Sequence, residues 1–479
     1  MIRTKKQILL VAISFLYSFS MDLELDYSSK VEQKLLIEWQ KNGTMSVDTV
    51  MAFLISDGVT DSVKIELFKQ QLIGHFFKLK ARIKKNDGII DKAEEIFDYL
   101  HKNILKNADE NAKLIEIFNT GRYNNISANA IYYVLCQKYE LPVEILSSAY
   151  YINLRLLEEN RKINIDIMDK KKGFDKKIEK EDLVQILILL NVIEADDIDD
   201  VDINQVYSEY FDDYKEIHPY LLCAAFYNLN GILWAQKGNL LESLKCLEKA
   251  VLINPNNDDF IDFYKSVLYN NSNLVSPPDK FLPHLKNALF FLKNDPSFTD
   301  NGIIMVNKII GYLVDDQHEY DKALDIIMEL KTSYPDSRFI KRLAEFEADI
   351  EYFKILALLK RGDYESAYKS MKILFYQNPD LPKYKDAYID TGIKYANQFV
   401  FRTRDYDKAF QIMDSIYTVA SDYSIVADFY MYLVMANLSE KEMTNVKDSK
   451  SAYNLAHKAH RLFPDHPVTK QALSKVYHE

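Results

Sequence analysis

Thiols, imidazoles and carboxylates are sparse in this chain and poorly arranged for chemistry. Its three cysteines are Cys136, Cys223 and Cys246. A thiolate nucleophile needs a helix N-terminus or a cationic neighbour to lower its pKa. Cys136 instead stands between Leu135 and Gln137 in an apolar helical run, which reads as a small core residue, and Cys223 and Cys246 read the same way. His457 and His460 lie three apart on one helix face, with His466 following. No carboxylate or cysteine completes a ligand set with them, so no metal is expected. Asp200, Asp202 and Asn204 open a calcium-loop pattern, but Gln205 replaces the glycine and Phe211 the closing glutamate, leaving the acidic run from Asp196 to Asp202 as a solvated linker. Lys170, Lys171, Lys172, Lys176 and Lys177 are diluted by Asp169 and Asp175, and no nucleic-acid motif accompanies them, so they read as a solvated loop. There is no glycine-rich phosphate loop, and no cofactor is expected.

The elements that carry these residues follow from composition. A chain of 479 residues has room for two to four domains and a sizeable core. Lys plus Arg number 60 against 71 Asp plus Glu, a net charge of −11, which gives no electrostatic reason to bind nucleic acid or anionic lipid. Gly and Pro number only 12 each while aromatics reach 13%. That excludes a turn-rich all-β fold and a disordered chain, and it predicts a mainly α protein. Residues 1–20 have the layout of a secretory signal peptide. Arg3, Lys5 and Lys6 precede an apolar run from Ile8 to Phe19, and Ser18-Phe19-Ser20 supplies a small-x-small cleavage site. That run is too short to span a bilayer comfortably; the competing reading is an uncleaved signal anchor, since the apolar core is aromatic and the site lacks Ala. Export is therefore expected, to the periplasm, the cell surface or the medium, with no membrane span after cleavage.

Helical spacing predicts helices near 30–41, 46–55, 60–84 and 90–106. In the second half one pattern recurs. A turn is followed by Tyr or Leu, a small residue three on, an apolar residue four later, a small or apolar residue three after that, and a closing Pro. The first copy is Gly238-Asn239-Leu240, Ser243, Leu247, Ala250 and Pro255, preceded by Tyr227, Gly231 and Trp234. Later copies are Tyr320, Ala323, Ile327, Leu330 and Pro335, then Gly362-Asp363-Tyr364, Ala367, Met371, Leu374 and Pro379. The last two are Tyr406, Ala409, Met413 and Ile416, then Ala452, Ala456, Ala459 and Pro464. These residues resemble the tetratricopeptide repeat, a pair of packed helices.

Equivalent positions fall near 224, 304, 348, 390 and 433, and the gap of 80 leaves room for a worn copy with helices near 257–269 and 280–294. The period of about 39–44 exceeds the usual 34, so each pair is expected to be about two turns longer. Residues 440–449 are expected to loop out. About six repeats would form an α-solenoid over 205–479 that cradles a protein or peptide partner. Its inner-face candidates are Asn228, Lys308, Tyr352, Lys394 and Arg402.

In the first half, Gly121-Arg122-Tyr123-Asn124-Asn125 is a turn before a helical run from Ala128 to Tyr139. Strand-like runs follow at Leu141–Leu146, Tyr150–Leu157 and Ile163–Asp166, then Gly173-Phe174 and an apolar helical stretch, Leu183–Ile193. This stretch resembles the bacterial transglutaminase-like domains of papain type that precede tetratricopeptide repeats in some exported proteins. The resemblance implies an α+β domain in which a Cys opens the helix, a His ends one strand and an acid sits on the next. Gly121, Tyr123 and Asn124 match that pattern, but the Cys position is Asn125 and the His position is Tyr151; only the acid position, Asp166, is kept. An amide forms no thiolate, and a phenol is a poor base at neutral pH.

The expectation is thus a signal segment (1–20), a helical lead-in with a degenerate transglutaminase-like domain (22–195), an acidic linker (196–204) and the repeats (205–479). Asn125, Tyr151 and Asp166 would form a relict site or a pocket. The expected function is a non-catalytic protein-binding scaffold of the cell envelope. The alternative is an active cysteine-type acyl transferase or protease with an unrecognised nucleophile.

Overall fold

A computed structural model describes residues 23–84, 87–147, 151–159, 161–175, 215–271, 277–293, 295–334, 336–443 and 449–477. The expected signal segment, residues 148–150, the 183–193 helix and the acidic linker lie outside them. The chain is mainly α. Packing divides it into two compact units, Met1–Met305 and Val306–Glu479.

The first unit opens with four helices, α1 (Lys30–Asn42), α2 (Thr49–Ser56), α3 (Ser62–Lys80) and α4 (Ile89–Asn103). Side chains of Ser29, Asp48 and Asp61 cap the first three by accepting backbone N–H bonds that the first turn leaves open. Two short parallel strands, β1 (Asn107–Ala108) and β2 (Arg122–Tyr123), lead into α5 (Asn125–Lys138). Then come β3 (Val143–Ser147), β4 (Ile152–Glu158), β5 (Arg161–Ile165) and β6 (Lys215–Ile217), an antiparallel sheet in the order β5-β4-β3-β6. Register places Ile145, Leu154 and Ile165 side by side, with Val143, Leu156 and Ile163 in the next row. Alternation puts both rows on one face, and all six are buried. Helix α5 packs against β3 and β4.

The same unit continues into the first helix pairs, α6 (Leu221–Gln236), α7 (Leu240–Ile253), α8 (Asp258–Asn271) and α9 (Leu282–Phe291). One hydrophobic core runs from Leu25 through the sheet to Ile253. Polar bonds cross the same junction: Trp39 Nε1 donates to the Ile253 carbonyl at 3.2 Å and Asn230 Nδ2 to the Ser56 carbonyl at 3.0 Å. Among them is buried Glu32, whose Oε1 accepts from Tyr227 Oη at 2.7 Å and Lys249 Nζ at 3.0 Å. Beside it Glu248 accepts from His284 Nδ1 at 2.8 Å and Asn287 Nδ2 at 2.9 Å. All four charged or ionisable members, Glu32, Lys249, Glu248 and His284, are buried.

Helix α10 (Phe298–Gly311) contains the division at residue 305. The second unit then runs through α11 (Tyr320–Ser333), α12 (Ser337–Lys360), α13 (Tyr364–Gln377), α14 (Pro382–Gln398), α15 (Tyr406–Ala420), α16 (Ser424–Met443), α17 (Ser449–Leu462) and α18 (Pro467–Tyr477). The repeat residues sit as their sizes require. Ala323, Ala367, Ala409, Ala456 and Ala459 are fully buried. A Cβ on Gly392 would come within 2.3 Å of Ile416, and one on Gly231 within 2.6 Å of Leu247, so each glycine marks a close helix crossing. The extra length per pair falls in the first helices: α12 has 24 residues against 14 for α13. Two of them, α10 and α14, run on into π turns, Tyr312–Asp316 and Phe399–Thr403. Of the expected 440–449 loop, residues 440–443 extend α16 and Ser449 opens α17. Only 444–448 fall outside the described residues.

Four turns within the pairs share one backbone form. Gly238, His318, Gly362 and Arg404, each two residues before the next helix begins, all have positive φ of 55 to 79°. Only glycine takes this region without Cβ strain. Replacing Gly362 by Ala should therefore cost about 1–2 kcal/mol, whereas Arg404→Gly should gain up to about 1 kcal/mol, since its exposed pair with Glu440 returns little. Urea midpoints of the two variants moving in opposite directions would confirm the strain.

Asp57, at the end of α2, supplies a pH test. Its Oδ2 accepts from the Leu114 N–H at 2.8 Å, and burial raises its pKa to about 7 despite Lys113 nearby. A carboxyl raised on folding keeps its full stabilising contribution below its unfolded pKa and loses it as pH climbs through 7. Asp57→Asn should remove that slope. Relative to the variant, the native protein should lose on the order of 2–4 kcal/mol between pH 4 and pH 8, read from chemical denaturation at each pH.

Candidate functional site

The turn that opens α5 is built by backbone geometry. Gly121 has φ +72°, and a Cβ there would lie 2.9 Å from the Ile104 carbonyl. Its own carbonyl accepts from the N–H groups of Lys106 and Asn107. Asn124 then caps the helix: its Oδ1 accepts from Ser127 N–H at 2.8 Å, Ser127 Oγ accepts from Asn124 N–H at 2.9 Å, and its Nδ2 donates to the Ala112 carbonyl. This reciprocal cap starts the helix at Asn125, three residues before the expected Ala128.

Asn125 therefore stands at the first helical position, where unpaired backbone N–H groups favour a negative charge. Its amide bonds through both its nitrogen and its oxygen. Nδ2 donates to the Ile152 carbonyl at 2.9 Å, and Oδ1 accepts from the Ile152 N–H at 3.0 Å. The side chain thus pairs with one residue of β4 as a neighbouring strand would. Asn129, one turn on, donates to the Ile152 carbonyl at 2.9 Å and to the Asn125 carbonyl at 2.7 Å. Tyr151 lies immediately before Ile152, and its hydroxyl donates to Asp166 Oδ1 at 2.8 Å. The same oxygen accepts from Met168 N–H at 3.0 Å. Tyr151 and Asp166 are buried. Behind them the chain folds back: Asp166 N–H donates to the Gly173 carbonyl at 2.8 Å, and a Cβ on Gly173 would overlap the Asp166 carbonyl at 2.0 Å.

Of the three positions singled out in the sequence, Tyr151 and Asp166 are bonded to each other, and Asn125 is bonded to the backbone of Ile152, the residue after Tyr151. Asn129 was not anticipated. Its sequence signal was a second Asn one turn after the first, at the mouth of an otherwise apolar helix. His101 on α4 was also missed. It is buried with its ring 4.5 Å from that of Phe97, and burial and Lys170 lower its pKa. Burial raises the Cys136 thiol far above its usual range, Cys223 to about 12 and Cys246 to about 11. Among the described residues no group of three or more His, Cys, Asp or Glu is placed to hold a metal. His466 pairs with Asp428 at 3.0 Å, and the His457 ring lies tilted against that of Tyr453, their centroids 4.1 Å apart.

The expected inner-face residues are dispersed in their engagements. Asn228 is half-buried on α6, in the first unit. Lys308 is half-buried on α10, and Tyr352 packs its ring 5.8 Å from that of Tyr384. Lys394 pairs along its own helix with Asp390 at 2.6 Å, and Arg402 is exposed on a π turn. Exposed apolar residues, which the sequence reading did not select, are Phe353, Leu356, Ile373, Tyr376 and Phe401.

No family model matches the sequence, and no curated protein is similar to it. Among solved structures the chain is similar to menin, in a crystal structure described as revealing the binding site for Mixed Lineage Leukemia (MLL) protein. The two share 10% identity, with 89% of this chain and 92% of that chain covered, at a TM-score of 0.26. Among the described residues no helix is long and apolar enough to cross a membrane.

The clamp on Ile152 predicts the cost of losing it. Asn125→Ala leaves the Ile152 N–H without its partner and should destabilise by about 1–3 kcal/mol. Tyr151→Phe should cost about 1–2 kcal/mol, since Asp166 keeps the Met168 N–H. Urea denaturation of each variant measures both.

Proposed function

We propose that this chain is an exported, non-catalytic protein-binding scaffold. In this reading the first half is a transglutaminase-like domain that has lost its nucleophile and base, and the second is a set of tetratricopeptide-like repeats. One observation carries the loss of chemistry: where the resemblance places a thiolate, the Asn125 amide is closed onto the Ile152 backbone. A group spent on holding two elements together is a structural fastener. Tyr151 and Asp166 are likewise bonded to each other. The raised thiols of Cys136, Cys223 and Cys246 argue against a substitute nucleophile. A binding role is supported by the apolar side chains that the second unit leaves in water, Phe353 and Phe401 among them.

The test has two arms on the full-length chain. A thiol-alkylating probe and an amine-donor incorporation assay should both give no signal from the native protein; rapid labelling of one cysteine, abolished by unfolding, would overturn the pseudoenzyme reading. A pull-down from envelope extract should recover a stoichiometric protein with the native chain and lose it with Phe353→Asp plus Phe401→Asp. Equal recovery by both would remove the repeats as the binding surface.

A further inference from the structure

Helix α3 has two apolar faces, and only one is used. Ile65, Phe68, Leu72 and Leu79 are buried in the core of the first unit. On the opposite side Val63, Leu67, Gln70, Gly74, Phe77 and Ala81 follow one another at spacings of 4, 3, 4, 3 and 4 residues. That is the seam spacing of a two-helix coiled coil, in which every member faces a partner helix. The seam stands in water: Val63 is 65% exposed, Leu67 54% and Phe77 62%, with Ile73 beside it 51% exposed. Gly74 lies at its middle, and a Cβ there would meet nothing within 4 Å, so a second backbone has room to approach. Along one edge Leu67, Phe68, Gln71, Ile115 and Asn119 wall an open cleft of about 580 Å³.

Flanking charge identifies the occupant. The positions bordering such a seam decide which helix pairs with it. Here they hold Lys64, Lys78 and Lys80 against one acid, Glu66, and no described carboxylate is bonded to those three lysines. A second copy of α3 laid antiparallel would set Lys64 against Lys78 of the copy twice and Glu66 against Lys80 of the copy twice, so repulsion on one flank offsets attraction on the other. An acidic helix meets all three lysines with opposite charge, and Glu66 is the one flanking position of like charge.

We propose that the outer face of α3 docks an amphipathic helix of another protein, with apolar residues at seam spacing and Glu or Asp at the flanking positions. This surface is separate from the repeat helices and does not depend on their role. Association is electrostatically steered and weakens with salt.

The probe is a fluorescent three-heptad synthetic helix with Leu along its seam and Glu at the flanking positions, beside the same helix with Lys there. Fluorescence anisotropy with the full-length chain should show the Glu helix binding about tenfold or more tighter than the Lys helix at low salt. Leu67→Asp plus Phe77→Asp should abolish that binding. Lys64→Glu, Lys78→Glu and Lys80→Glu together should reverse the preference; all these side chains are exposed, so an unchanged melting temperature certifies the fold. The repeat variant Phe353→Asp plus Phe401→Asp should bind the Glu helix normally, which separates this surface from the one proposed above. No binding, equal binding of both helices, binding that survives Leu67→Asp plus Phe77→Asp, or a dimer by light scattering that those two substitutions dissolve would each overturn the proposal.

Discussion

Taking the Glu32 carboxylate and the Lys249 ammonium out of water together is costly unless both are held by good geometry and further hydrogen bonds. The first unit meets that condition by joining two distant stretches of chain. Glu32 enters on α1, its capping residue Ser29 accepts from its N–H, and the Ser28 N–H donates to its second oxygen. Tyr227 and Lys249 come from α6 and α7. Neither stretch can bury its polar groups without the other. The adjacent Glu248 repeats the constraint with His284 and Asn287, and Asn287 in turn pairs its amide with the Glu24 backbone. The first helix pairs are therefore part of the core that begins at Leu25. A fragment starting at residue 205 would leave Lys249 buried or half-solvated without its acid.

Such coupling is not written in local patterns. Leu247-Glu248-Lys249-Ala250 reads as an ordinary helix with charged residues turned to solvent, because a charge is normally on the surface. Only the fold shows both of them turned inward. By contrast, the helices of the lead-in and the pairs were legible almost to their ends. Their boundaries are set locally, by capping Ser and Asp, by Gly at positive φ and by Pro after the last turn. Two of the turn positions carry His318 and Arg404 in place of glycine, so turn chemistry alone would have missed those pairs, and Tyr320 and Tyr406 found them. The π turns were invisible, since their extra residue per turn depends on tertiary packing. The helix start at Asn125 was misread by three residues because Ile126 and Ser127 look like turn continuation until Asn124 and Ser127 are seen to cap each other.

The candidate site was legible as a set of positions and illegible as a mechanism of attachment. Tyr151 and Asp166 bond each other while Asn125 bonds the Ile152 backbone; an amide offers both a donor and an acceptor, whereas a thiol offers weak versions of each. That difference lets Asn125 bond both backbone groups of Ile152. The residue after a strand's last side chain of interest contributes backbone, which no motif records, and Ile152 went unnoticed for that reason. Asn129 completes the junction by sharing the Ile152 carbonyl. Helix α5 and strand β4 are thereby fixed to each other at the point where a cleft would need them to part.

A sealed junction moves any recognition outward, and the surfaces left over differ in kind. On α3 the exposed apolar residues add nothing to the fold, because Ile65, Phe68, Leu72 and Leu79 already bury the inner face. A helix face with no packing task is ordinarily filled with charge, as on α13 and α14, where Glu365, Lys369, Asp390 and Lys394 pair along their own helices. Apolar residues at seam spacing in such a place raise the aggregation hazard of the free chain. The lysines that border them favour a partner carrying acids at the facing positions over one carrying bases. Selectivity here comes from what the border rejects as much as from what the seam accepts.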